Sequence, residues 1–124
     1  MEPRSKRFAD TVVLYPEGRI DHATADGLKA ALTPYLAHCA AGRDRLVLDL
    51  SGVEYISSVG LRVLMLASKQ VKAQGGSLAV CGLGPVVREI FEISRFNLVL
   101  DVFPALREAL AGLSAPALAA FDAG

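Results

Sequence analysis

The residues of this 124-residue chain best placed to do chemistry are two adjacent serines, Ser57 and Ser58, in the stretch VEYISSVGLRVL (53–64). They follow an apolar run and precede a helical pattern. A serine there has three uses. It can cap the helix by accepting a backbone N–H. It can act as a nucleophile if a base lies within reach. It can also take a phosphate, which adds about 1.5 to 2 negative charges. On spacing alone the cap is the expected role, and the other two stay open.

A catalytic triad needs a base and an orienting acid beside the nucleophile. Ser58, His22 and Asp21 can be grouped on paper. Neither serine lies in a GxSxG elbow, however, and His22, beside a helix start, reads as an exposed polar residue. His22 and His38 lack an EH or CH pattern and make no recognisable metal-ligand set. CGLGP (81–85) is glycine-rich and precedes a helix, where backbone N–H groups can approach an anion. It has no following Lys-Ser/Thr and no GxGxxG, so a turn that needs glycine dihedrals explains it. Cys39 and Cys81 are far apart and outside any CxxC, and are expected as reduced, buried thiols. No enzyme, metal or cofactor is expected.

Phosphorylation agrees with the surroundings of the two serines. A hydroxyl on a loop after a strand, at the start of a helix, is exposed. The helix dipole tolerates a phosphate there, and Arg62, four residues beyond Ser58, can pair with it. The fold would survive the modification, whereas an acidic or apolar partner surface docked on the same spot would not. The expected consequence is a switch acting on an interface.

Composition narrows the classes further. Thirteen basic residues balance 13 acidic ones, and aromatics are 6% of the chain. The cationic footprint of nucleic-acid binding is therefore missing. The hydrophobic fraction, 52%, is too high for a disordered chain. No apolar run approaches the roughly 18 residues of a membrane span, and the longest, around Leu61–Ala67, is interrupted by Arg62. The polar start, MEPRSKRFAD, lacks the apolar middle of a secretory signal. Cytoplasmic location without direct membrane insertion is expected.

These residues must be positioned by an alternation of strands and helices. TVVLYPEGRI (11–20) reads as extended, with Pro16 marking an edge or bend. Segment 21–42 reads as a helix. Asp21 or Thr24 caps it, Leu28, Ala31, Leu32, Tyr35 and Leu36 recur at helical spacing, Pro34 kinks it and Gly42 stops it. RLVLDL (45–50) has the continuous apolar character of a strand buried on both faces. SGVEY is a turn leading to Ile56. Leu61, Leu64, Met65, Ser68 and Val71 mark a second helix, closed by Gly75-Gly76. Strand 77–82, helix 85–93 with Pro85 at its first position, strand 97–102 and helix 104–113 follow. This order predicts parallel pairing with right-handed crossovers, with an antiparallel edge added by the N-terminal strands. One α/β domain over 1–113 is expected, with 114–124 a loose Ala-rich tail.

Three stretches resemble the STAS domain, and within it the bacterial anti-sigma factor antagonists. EGRIDHATADGL is similar to the family's G-x-L/I-D segment leading into the first helix. RLVLDLSGVEYISSVGLRVL resembles its signature block, a buried strand, a short turn, then I-(D/S)-S-(S/T/A)-G-L. KAQGGSLAVCGLGPVVREIFEISRFNLVLDVF is similar to its closing half. Together they span about residues 8–113. The resemblance implies a small sheet of about four to five mostly parallel strands, with about four helices packed mainly on one face. The family's phosphorylated serine matches Ser58, with Ser57 the other candidate hydroxyl. Ser57 stands where relatives often carry Asp, and Val59 where they often carry Ser or Thr.

The implied mechanism is partner switching. The unphosphorylated protein binds an anti-sigma factor of the histidine-kinase-like ATPase type and frees a sigma factor. That partner, a serine kinase, phosphorylates the antagonist and releases it, and a serine phosphatase resets it. The expected binding surface comprises Asp21, His22, Thr24, Ser57, Ser58, Val59, Gly60 and Arg62. The same resemblance also admits an accessory subunit of a lipid-transport ATPase, or a ligand-sensing module.

Overall fold

The computed structural model describes residues 2–124. In chain order its elements are β1 (Arg4–Phe8), β2 (Thr11–Tyr15), β3 (Gly18–Ile20), α1 (Ala25–His38), β4 (Arg45–Asp49), β5 (Val53–Ile56), α2 (Ser58–Ala73), β6 (Leu78–Cys81), α3 (Pro85–Ile93), a 3-10 turn at Phe96–Leu98, β7 (Asp101–Phe103), α4 (Leu106–Leu113) and α5 (Ala115–Ala123). A five-stranded sheet has the order β1-β2-β4-β6-β7, and β3 and β5 form a separate parallel pair. Among the described residues the β1–β2 pairing is antiparallel and the other four are parallel. No helix among the described residues is long and apolar enough to cross a membrane.

Strand alternation divides the buried side chains between two cores. Val12 and Leu14 of β2, Leu46 and Leu48 of β4 and Leu78 and Val80 of β6 face one way, under α1, α2 and α3. Val13, Val47 and Cys81 face the other way, with Phe8, under α4 and α5. This is why RLVLD reads as an unbroken apolar run: both of its faces are covered. Three helices thus cover one face and two the other. Both cysteines are buried. The Cys39 Sγ–H donates to the Ser77 carbonyl (3.2 Å), and burial pushes the Cys81 thiol up to about 12.

Several elements differ from the sequence reading. RSKRF forms the edge strand β1, its first four residues exposed. VEYI is a strand rather than part of a turn, because β3 pairs with it. Helix α1 begins at Ala25 rather than Asp21, since Asp21–Thr24 is a turn of its own. It ends at His38, with Gly42 (φ +72°) in the loop beyond. Pro34 lies inside it without ending it. The strand expected at 97–102 is displaced to Asp101–Phe103. Arg95, at φ +58°, turns the chain so that Phe96 is buried edge-on against Phe91.

The segment 114–124, expected to be loose, is helical. The Ser114 Oγ accepts the Ala117 N–H (3.2 Å) and caps α5. Ala117 is fully buried, and Phe121 packs edge-on against Phe8 with ring centres 5.5 Å apart. The Ser114 hydroxyl also donates to Asp10 (2.5 Å), whose other oxygen takes Arg45 (2.8 Å). The Ser114 bond, supported by Arg45, holds the Asp10 carboxyl below its ordinary range against the opposing effect of burial.

A carboxyl with a lowered folded-state pKa adds stability above its unfolded value, and that stability is lost as pH falls through the folded value. Asp10→Asn should therefore lower the melting temperature at neutral pH and make it fall less steeply below about pH 4. Deleting 114–124 should uncover Phe8 and lower the melting temperature by several degrees. An unchanged melt would mean that α5 contributes no stability.

Candidate functional site

The start of α2 is built against the end of β3. The Ser57 N–H donates to the Ile20 carbonyl at 2.8 Å, and the Ser57 carbonyl accepts the Leu61 N–H at 2.9 Å. The Ser57 backbone is extended (φ −86°, ψ 173°), and its Oγ accepts the Gly60 N–H at 3.2 Å. Ser57 is thus the helix cap. Gly60 is where helix and strands touch. A Cβ there would lie 2.7 Å from Ile20 Cγ2 and 2.8 Å from Ile56 Cγ1, closer than real side chains approach. The glycine of the SSVGL run is therefore required by packing.

Ser58 is the first residue of α2 and is exposed. Its side chain makes no hydrogen bond among the described residues. Val59 is 45% exposed beside it, and Arg62, one turn further, is exposed and without an ion pair among the described residues. The two serines that looked equivalent in sequence differ here: one hydroxyl is used by the fold and the other is free.

Asp21 and Thr24 form a second, self-contained turn next to Ile20. The Thr24 hydroxyl donates to the Arg19 carbonyl (2.9 Å) and accepts the Asp21 N–H (3.0 Å), while Asp21 Oδ1 accepts the Ala23 N–H (3.0 Å). Neither side chain caps α1 as expected: Thr24 sits at the cap position but points back to Arg19. The bond from Ser57 to Ile20 places this turn beside the start of α2. His22 is exposed in the turn, and no hydrogen bond joins it to Ser58 or to Asp21 among the described residues. No group of three or more His, Cys, Asp or Glu residues able to hold a metal occurs among the described residues.

Two further residues shape the surface and were not singled out from the sequence. Arg19 stacks 4.5 Å above the Tyr55 ring, with its Nε 3.9 Å from Asp21. They adjoin in space only through the β3–β5 pairing, and the Arg-x-Asp spacing in GRID was the sole hint. A groove of about 690 Å³ runs alongside, lined by Arg4, Tyr15, Glu17, Arg19, Asp21 and Glu54. Its mixed charges favour polar contacts with a partner.

Gly60→Ala should destabilise the domain by about 1–3 kcal/mol through overpacking, and Ser57→Ala by about 1 kcal/mol through the lost cap. Ser58→Ala should stay within about 0.5 kcal/mol of the parent. Chemical denaturation of the three variants checks the division, and a cost at Ser58 equal to that at Ser57 would contradict it.

The geometry meets its counterparts in comparison with known proteins. The family described as the STAS domain matches residues 2–109. The putative anti-sigma factor antagonist BtrV of Bordetella bronchiseptica is 44% identical over 104 residues, 82% of this chain and 84% of that protein. The anti-sigma-F factor antagonist RsfB of Mycobacterium tuberculosis is 33% identical over 101 residues, 82% and 80% of the two chains. The crystal structure of an anti-sigma factor antagonist from Mycobacterium paratuberculosis superimposes with a TM-score of 0.79 at 26% identity, covering 90% of this chain and 92% of the other.

Proposed function

Since the chain belongs to the STAS domain family, we propose that it is an anti-sigma factor antagonist acting by partner switching, with Ser58 as the modified residue. The observation that carries this reading is the free, exposed hydroxyl of Ser58 next to Ser57, whose hydroxyl is taken by the cap. A kinase can reach Ser58 without dismantling the helix. The Ser57 Oγ is already engaged with the Gly60 N–H at the point where α2 meets β3, and the residue is only half-exposed.

The unphosphorylated surface offers the Val59 side chain, the Ser58 hydroxyl and the Arg62 guanidinium from α2. The Asp21–Thr24 turn, with His22 at its tip, adds polar groups beside them. The partner is an anti-sigma factor of the histidine-kinase-like ATPase type that is also the serine kinase. A serine phosphatase reverses the modification, and the cycle runs in the cytoplasm. The protein catalyses no step and needs no cofactor of its own.

The physical basis of release is the charge. A phosphate of about −1.5 to −2 at Ser58 must be desolvated if a partner covers it. A loss of about 2.7 kcal/mol already weakens binding about a hundredfold. Within the free protein the same charge is tolerated, because it sits at the positive end of the 16-residue α2 with Arg62 a turn away. The switch therefore acts on the interface and spares the fold.

Ser58→Ala and Ser58→Asp proteins, used as baits in a native lysate and read by mass spectrometry, test this. The Ala form should retain a histidine-kinase-like ATPase and the Asp form should lose it, with at least a hundredfold difference in Kd once the partner is purified. Equal retention of that ATPase by both would contradict the switch. Recovery of a transport ATPase would replace this reading with the accessory-subunit one.

A further inference from the structure

A cavity lies at the other end of α1. Thr24 precedes that helix beside the start of α2, and His38 ends it, a distance of about 20 Å at the helical rise. Between its last turns and the amino ends of β2 and β4 is a cavity of about 320 Å³. Its floor is apolar: Val12 and Leu46 from the sheet, with Tyr35 from the helix. The volume is at the lower end of the range of small-molecule sites, about 300–1,000 Å³. An apolar floor with a few polar groups at one side is the usual character of such sites.

The polar side holds two guanidiniums, Arg7 and Arg45, the His38 ring and the Asp44 carboxylate. Arg7 donates to both oxygens of Asp44 (2.9 and 2.8 Å), and Arg45 donates one Nη1–H to Asp10 (2.8 Å). A guanidinium has five N–H groups and no acceptor. Arg45 therefore keeps most of its fork unused among the described residues, whereas Arg7, which also donates to the Ala9 carbonyl (3.3 Å), keeps its Nε–H and one Nη2–H. The His38 ring, also on the rim, has no hydrogen-bond partner among the described residues. The one carboxylate lining the cavity, Asp44, is already engaged. Each guanidinium already faces one carboxylate, so the formal charges of the rim balance, and what it offers an incoming acceptor is the unused N–H groups of Arg45 and the His38 ring.

We propose that this cavity binds a small monocarboxylate with an aromatic or branched apolar body. The body would lie on Val12, Leu46 and Tyr35, and the carboxylate would accept hydrogen bonds from Arg45 and His38. The site is independent of the Ser58 reading and stands or falls separately.

The test is titration of the full-length protein with phenylacetate, followed by amide-correlation NMR. Phenylacetamide, of the same shape without the charge, is the control. Phenylacetate should give saturable shifts centred on Tyr35, His38 and Leu46 with Kd below about 1 mM. Phenylacetamide should bind at least tenfold more weakly, and Arg45→Gln should weaken phenylacetate to a similar extent. Should Arg45→Gln disturb folding, contacts between the phenyl ring protons and the Val12 and Tyr35 side chains, seen by nuclear Overhauser effects in the parent, decide the site. No saturable shift up to about 10 mM would overturn the proposal. So would equal binding of the amide, or contacts that map to the groove beside Arg19 instead.

Discussion

One backbone hydrogen bond organises the surface on which the account rests: the Ser57 amide to the Ile20 carbonyl, 2.8 Å. It joins the last residue of β3 to the cap of α2 and brings the Asp21–Thr24 turn alongside. Close by, Gly60 leaves room for Ile20 and Ile56, whose side chains a Cβ there would meet at 2.7 and 2.8 Å. Ser57 is tied into the domain at three points. Its amide, its carbonyl and its hydroxyl are all bonded within the domain, so Ser58 is the first residue of α2 with a hydroxyl to spare.

That arrangement gives two consecutive serines different environments: the Ser57 hydroxyl caps the helix and the Ser58 hydroxyl is exposed. Folding uses groups whose loss would leave a buried or terminal N–H unpaired. The proposed switch would use a group that makes no hydrogen bond among the described residues, so its charge could change without unfolding the protein. The rest of the fold supplies rigidity behind this corner. β4 is buried on both faces, α1 and α2 lie on one side, and α4 and α5 close the other.

Much of this was readable in the sequence. The continuous apolar runs of β4 and β6 and the helical spacing of α2 and α3 come from side chains that must be buried, and burial leaves a periodic trace. What the sequence concealed lacked that trace. RSKRF forms a strand with its first four residues exposed, because backbone pairing to β2 holds it there. VEYI is too short, and too broken by Glu54, to show a pattern. In α5, alanine-rich and almost without amphipathic contrast, anchoring comes from Ser114, Ala117 and Phe121 rather than from a stripe. At the candidate site the adjacency of Ser57, Ser58, Gly60 and Arg62 was plain. The division of work between the serines was not, since it depends on which hydroxyl meets the Gly60 amide. Nor was the stacking of Arg19 on Tyr55, which needs the pairing of β3 with β5.

The central claim is that the free hydroxyl, Ser58, is the one modified. Its most direct test is to isolate the protein from its native host and locate any phosphate by fragmentation mass spectrometry. A phosphorylated fraction with the group on Ser58 and unmodified Ser57 is the expected result. Phosphate on Ser57, or none on either serine in conditions where the partner kinase is present and active, would contradict it.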